Sequence, residues 1–588
     1  MKIHTPLILA GLMLTSPSLC QQTRAVTPPP DGGYANFTTA EGHNALLQLT
    51  TGTANTAVGW LSLESVTTGS YNTGLGAGTL ALNTGNDNTA TGAAALLLNT
   101  TGSDNTANGT ATLVNNSTGN NNTAMGAFAL NSNTTGEGNI AIGAFSLFSN
   151  TTGGDNTAIG TNALLNNTTG VDNTATGSRA LMNNTSVENT ANGAFALLNN
   201  TTGSDNTAVG SQALSLNTEG SSNTAIGASA LFANTIGNSN TALGEEALSA
   251  NTGDNNTATG AAALLSNTAG AQNTANGAQA LLSNTTGNAN TATGYQALLS
   301  NTGGFGNTAV GYQALQGNAS GQGNTATGVA ALLNNSSGGS NTAVGFNALV
   351  SNIDGGNNTA IGNNALGNSN GDFNVAVGAG ALSSPNTTGS NNVALGRLAG
   401  IGVTTASDVI CIGSLVNGAN INSSCYIGNI HGETVDPGSG LAVFVDGDGK
   451  LGTIVSSRRF KRDIKPMDTS SEAVLALKPV IFSYKNDAKG TPQFGLVAEE
   501  VAQINPDLVV CDKEGEFLSV RYEAVNAMLL NEFLREHKAF LEEQSKVQKL
   551  QAALEAVNAR LKEQDAKIEK VSAQVNARTA TPQVVSNQ

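Results

Sequence analysis

The sequence predicts a mainly β protein: a parallel β-solenoid of about 21 coils, then a small α+β domain and a C-terminal coiled coil. Three observations predict it. The pattern Asn-Thr-Ala-Val-Gly recurs with a period of 17 residues, varying by one, in 21 copies whose leading asparagines run from Asn55 to Asn392. A fixed period of this size marks a stacked array in which each unit buries its face against its neighbours. The composition agrees, because 71 glycines, one tryptophan and 11% charged residues are unlike an ordinary globular enzyme. Finally, the last part of the chain is charged and carries an apolar residue at every seventh position.

In chain order, residues 1–20 read as a secretory signal, with Lys2, an apolar core from Leu7 to Leu14 and small residues at Ser16 and Ser18. The core is too short to span a bilayer. The expectation is an exported chain, secreted or on a bacterial cell surface, with no membrane insertion once the signal is removed. Cys20 invites a lipoprotein reading, but Pro17 and Leu19 depart from a lipobox. Residues 21–38 form a Pro-rich spacer around Pro28, Pro29 and Pro30.

Residues 39–400 are the solenoid. In a unit such as Asn206-Thr207-Ala208-Val209-Gly210, side chains alternate across a short strand. The threonine and the aliphatic residue at the second and fourth positions are expected to face inward and stack coil upon coil. Glycine closes the strand, an Ala-Leu pair supplies a second apolar face, and Asn-Thr-Thr-Gly makes the return turn. A unit this short, punctuated by glycine, holds no helix pair. At about 4.8 Å per coil the rod would be on the order of 100 Å long. A longer beat runs through it: the fourth position reads Thr91-Asn108, Thr176-Asn192 and Thr259-Asn276, about five coils apart. Many Asn-x-Thr sequons occur, and turn chemistry with side-chain ladders accounts for them more simply than glycans. An ice-binding threonine face is disfavoured by the inward placement of threonine and by the scarcity of a regular Thr-x-Thr ladder.

Residues 401–455 read as a β-rich neck in which Cys411-Ile412-Gly413 and Cys425-Tyr426-Ile427-Gly428 still look like strand ends. Asp446-Gly447-Asp448-Gly449 lacks the further ligands of a calcium loop and reads as a hairpin turn. Residues 456–545 form the small α+β domain. Thr469 and Glu472 suggest a capping box for a helix stopped by Pro479. Strands follow at Val480 to Lys485 and Gln493 to Val497, then a short helix and a hairpin around Lys513-Glu514-Gly515. A long helix opens at Tyr522, and residues 546–588 are coiled coil and tail. Its heptad positions are Phe533, Phe540, Val547, Leu554, Leu561, Ile568 and Val575.

The boundary stretch Ser456-Ser457-Arg458-Arg459-Phe460-Lys461 also holds chemistry. A serine followed five residues later by lysine can form a nucleophile and base pair if burial keeps the amine neutral. A basic surface segment reads the same way. The net charge of −16 argues against nucleic acid and against anionic membrane. Cys411, Cys425 and Cys511 lack zinc-site spacing, and His4, His43, His431 and His537 are scattered, so no metal and no cofactor is expected.

Two resemblances sharpen this reading. The stretch from Ser456 resembles the start of the endosialidase-type intramolecular chaperone domain of phage tailspikes and bacterial surface fibres. That family's motif runs Ser-Asp-x-Arg-x-Lys and then isoleucine, which Ser456, Arg459, Lys461 and Ile464 match; a Gly-Leu-Val-Ala-x-Glu-Val segment follows, here Gly495 to Val501. Ser457 stands in place of the motif's aspartate. The repeat is similar to the head repeats of trimeric autotransporter adhesins, whose coils are a few residues shorter. Together they imply a homotrimeric fibre whose C-terminal domain aligns three chains and then cleaves itself beside Ser456. In the implied site Ser456 is the nucleophile and Lys461 its base, with Arg459 and Glu500 in support; the Val455–Ser456 bond is the economical cut, through a five-membered ring, and the Ser456–Ser457 bond is the alternative. The alternatives are a permanent trimeric adhesive fibre that never cuts, and a fibre that binds or acts on glycans; the surface or glycan ligand is open.

Overall fold

The computed structural model describes residues 35–579 apart from 385, 386, 447 and 513; the signal sequence, Cys20 and most of the spacer lie outside the described residues. The chain divides into two units, 1–433 and 434–588.

The first unit is one parallel sheet of 24 three-residue strands. They run from β1 (Thr39–Glu41) and β2 (Thr56–Val58) to β23 (Ile410–Ile412) and β24 (Cys425–Ile427), numbered in chain order. Each pairs with the next in register, as Thr207, Ala208 and Val209 of β11 (Thr207–Val209) pair with Thr224, Ala225 and Ile226 of β12 (Thr224–Ile226). The 17-residue repeat is therefore one turn of a parallel solenoid. It has three more strands than the asparagine pattern marks, because β1, β23 and β24 lack the leading asparagine. The cysteine-bearing strand ends of the neck are the last two rungs.

The orientation of the strands reverses the expectation from sequence. The middle residue points inward: Ala57, Ala208, Ala225 and their equivalents are fully buried. The threonine and aliphatic residues on either side face out, with Ile226, Leu243, Ile361 and Leu395 each at least 39% exposed. Alternation dictates that neighbours take opposite faces but not which face is which. A narrow coil decides it, since the interior is already filled by the Ala-Leu pair, such as Ala213 and Leu214, and by buried asparagine. Only a methyl fits at the strand's centre.

Two asparagine ladders line the interior. Asn223 donates its backbone N–H (3.0 Å) and its side-chain amide (3.1 Å) to the Asn206 Oδ1, and the same amide donates to the Gly237 carbonyl at 2.8 Å. In the return turns, Asn217 donates to the Asn200 Oδ1 at 2.7 Å and to the Gly220 carbonyl at 2.8 Å. These turn asparagines are fully buried, so the Asn-Thr-Thr sequons serve the ladder. Buried amides need partners, and identical neighbours supply them coil after coil. The strand-closing glycines stack backbone on backbone: Gly210 has φ 132°, and an added Cβ would sit 2.5 Å from the Gly227 carbonyl oxygen.

The second unit opens with an antiparallel pair, β25 (Phe444–Val445) and β26 (Leu451–Gly452). The Asp446 Oδ1 accepts from the Asp448 and Lys450 N–H groups, a turn rather than a cation loop. Two more antiparallel pairs follow, β27 (Val480–Phe482) with β28 (Gln493–Gly495), and β29 (Val509–Cys511) with β30 (Phe517–Val520). Helix α1 (Ala498–Ile504) and the 57-residue helix α2 (Tyr522–Arg578) complete it. Val474, Val501, Leu508, Val520, Val525 and Met528 form a small core.

The capping box does not form. Asp468–Ala476 is a 3-10 segment with no side-chain cap, and Glu472 instead pairs with Arg535 of α2 at 2.9 Å. A long-range ion pair has displaced a local one. The heptad residues of α2 from Phe533 to Val575 are all exposed on the single chain, at 46–64%. They are therefore not a packing face for the rest of this chain.

Candidate functional site

The 3-10 turn Arg458–Phe460 sits between the two residues of the expected pair. Its backbone bonds, Phe460 N–H to the Ser457 carbonyl (3.0 Å) and Lys461 N–H to the Arg458 carbonyl (3.1 Å), fold the segment back on itself. The Lys461 ammonium therefore returns to Ser456, and Nζ donates to Oγ at 3.1 Å. This is the separation a general base needs from the hydroxyl it deprotonates. Both side chains are exposed on the single chain.

The supporting residues are placed differently. The Arg459 guanidinium lies 4.6 Å from the Phe460 ring centroid, a cation–π contact, and is not ion-paired with Glu500. Glu500 is exposed on α1. The second motif segment runs from the end of β28 into α1, and Tyr522 ties it to the long helix: its hydroxyl oxygen accepts from the Leu496 N–H at 2.9 Å. Thus Ser456 and Lys461 are together, whereas Arg459 and Glu500 do not meet.

Sequence reasoning missed a polar cluster that anchors α2. Glu532, only 7% exposed, accepts from the Ser471 hydroxyl and from Arg535 at 2.8 Å. The Asn531 amide donates to the Asp468 carbonyl (2.9 Å) and to the Ser471 Oγ (2.7 Å). The Ser471 bond, reinforced by Arg535, holds the Glu532 carboxyl below the usual glutamate range. Ser471 lies 61 residues before Glu532, so no local spacing signals that half of the cluster.

Elsewhere the described residues offer little for small-molecule chemistry. Open grooves lie along α2, one lined by Lys567, Ile568, Val571, Ser572 and Val575. No group of three His, Cys, Asp or Glu residues could hold a metal ion among them. Among the described residues no helix is long and apolar enough to cross a membrane. Cys411, Cys425 and Cys511 are free thiols. Four of the solenoid's exposed aromatics stack in pairs, Phe128 on Phe145 at 5.2 Å and Tyr295 on Tyr312 at 5.6 Å. Glu188 and Asp205 share a hydrogen bond on successive turns, which with their mutual repulsion raises Glu188 above its ordinary value.

The outward sheet face is the solenoid's distinctive surface. Among 24 strands its second and fourth positions carry a single charge, Glu41, while acids such as Asp155, Asp172 and Asp205 are confined to the turns. The outward threonines remove one argument against an ice-binding face. The other stands, because the fourth position mixes Thr, Asn, Val, Ile, Leu and Met and offers no regular Thr-x-Thr array.

Residues 456–510 match the family model described as chaperone of endosialidase. No curated protein and no solved structure is significantly similar to the chain.

Proposed function

We propose that this chain is a secreted or cell-surface homotrimeric fibre whose C-terminal chaperone domain aligns three copies and then cuts itself away beside Ser456. The observation that carries the cleavage is the 3.1 Å contact of Lys461 Nζ with Ser456 Oγ at the first residues of the family match. The trimer is supported by that match, by the exposed heptad stripe of α2 and by the sheet face, whose only charge is Glu41. A sheet face turned to a threefold axis that runs along the rod sets the same strand of all three copies at one height around that axis, so like side chains gather there and acids would repel in a chain of net charge −16.

In the reaction, Lys461 takes the hydroxyl proton while Ser456 Oγ attacks the Val455 carbonyl carbon through a five-membered ring. The amide C–N bond breaks, the Ser456 nitrogen leaves as an amine with a proton, and an ester joins Val455 to the serine oxygen. Water then hydrolyses the ester to the Val455 carboxylate and the free Ser456 hydroxyl. An amine works as a base only when neutral, which burial favours. Covering of this exposed segment by the other two copies would supply that burial and so couple cutting to assembly. Removal of the domain would leave the fibre kinetically locked.

The intact mass of the purified protein tests the reading. Wild type should give fragments meeting at Val455 and Ser456, while Ser456→Ala and Lys461→Ala should stay whole. If all three remain full length, the domain is a permanent trimerisation foot and Ser457 has replaced a needed aspartate.

A further inference from the structure

We infer that the outward sheet face carries its own register code for association with two further copies of the chain. An apolar block at β21–β24 marks the one correct alignment. The inference rests on the trimeric reading above and goes beyond it by placing the register mark in the solenoid rather than in the C-terminal domain.

The fourth-position residues repeat in bands. Thr91-Asn108, Thr176-Asn192 and Thr259-Asn276 occupy β4–β5, β9–β10 and β14–β15, separated by Met125-Ile142-Ile159 and by Val209-Ile226-Leu243. With copies in register, asparagine meets asparagine and aliphatic meets aliphatic. A slip of two or three strands sets nearly every asparagine amide against Ile, Val or Leu, and a slip of one or four sets about half of them against threonine and most of the rest against Met or Val, which leaves polar groups without partners. A slip of five strands restores two of the three bands. The beat therefore rejects every short slip and leaves one competitor, displaced by about 24 Å at about 4.8 Å per strand.

The C-terminal unit cannot exclude that competitor alone. Gly428 to Val443 contains neither strand nor helix. Fully extended at about 3.3–3.6 Å per residue it reaches roughly 50 Å, so it can absorb the displacement. The mark must lie in the solenoid, and β21–β24 supply it. Here the second position changes from threonine to Val375, Val393, Ile410 and Cys425, and the fourth reads Val377, Leu395, Ile412 and Ile427. The four fourth-position residues are 36–41% exposed on the single chain. Such a run occurs once. After a five-strand slip it faces β16–β19, where Thr291, Thr308, Thr325 and Thr342 hold every second position, and apolar surface stays in water.

The solenoid contains its own reporter. Cys425 is exposed on this face in β24, and Thr342 holds the same position in β19, five strands earlier. In full-length Thr342→Cys protein, a short thiol-to-thiol cross-linker should give 342–342 and 425–425 links and no 342–425 link, read by peptide mass. Adding Val375→Thr, Val377→Thr, Val393→Thr, Leu395→Thr, Ile410→Thr, Ile412→Thr and Ile427→Thr erases the block, with Cys425 kept as the reporter, while keeping strand-compatible side chains. Then 342–425 links should appear in a substantial fraction of trimers. If the block variant remains a trimer with only homotypic links, the register mark is elsewhere and the inference is overturned. If the trimer is intact but gives no inter-chain link at 425 even in the parent, the sheet face is not the interface and the inference is again overturned, while the trimeric reading survives. A monomer before any block substitution overturns both.

Discussion

At the scale of single residues, two side-chain contacts organise the C-terminal unit. Ser456 and Lys461 were legible from a five-residue spacing, and a single 3-10 turn brings them together. The buried bond of Glu532 was not legible, because its partner Ser471 comes from a segment 61 residues earlier. Glu532 yields a pH prediction with a definite sign. Its folded pKa lies below the ordinary value of 4.5, so its contribution is complete above that value and is lost as pH falls through the lowered folded value. Thermal unfolding of the full chain should therefore show the C-terminal transition losing stability below about pH 4.5. Glu532→Gln should flatten that acid limb and lower the transition at pH 7, because Arg535 and Ser471 lose a charged acceptor.

Among the elements, the solenoid coil is stabilised less by large apolar side chains than by repetition. Its interior is alanine, leucine and two asparagine ladders, each amide paired with the next coil. Asn223→Ala should cost about 1–3 kcal/mol, since it leaves the Asn206 Oδ1 and the Gly237 carbonyl short of a buried donor. Gly210→Ala should cost a similar amount, about 1–3 kcal/mol, through its φ of 132° and the Gly227 carbonyl it would strike. Ser211→Ala, exposed one residue later, should stay within about 0.5 kcal/mol. Because each coil contacts only its neighbours, the damage should open the rod locally. Limited proteolysis mapped by mass would place new cuts within a coil or two of the substitution.

For the whole molecule, near-identical coils create an alignment problem. An unfinished solenoid exposes a strand edge and can pair in wrong registers, so something must bring chains together before the rod zips. The exposed heptads of α2 are suited to this. Removing everything beyond Arg521 should abolish a monodisperse trimer in sedimentation and, with it, cleavage at Ser456. A trimer that forms equally well without α2 would reassign the chaperone role.

Internal repetition made the solenoid legible, because it lets one chain serve as its own alignment: period, turns and ladders could all be read from spacing. The sequence by itself also determined the family motif, since that motif is local. The tertiary structure alone decided which side of each strand faces in. Threonine and valine looked like core, but alternation supplies only parity, and the narrow interior admits alanine, as Ala208 and Ala225 show. It decided too that the neck supplies the last two rungs, where Cys411 replaces alanine inside and Tyr426 pairs with it. Glu472 likewise answers to Arg535 rather than to Thr469. Each of these depends on volume or on partners far along the chain, and neither is written in local sequence.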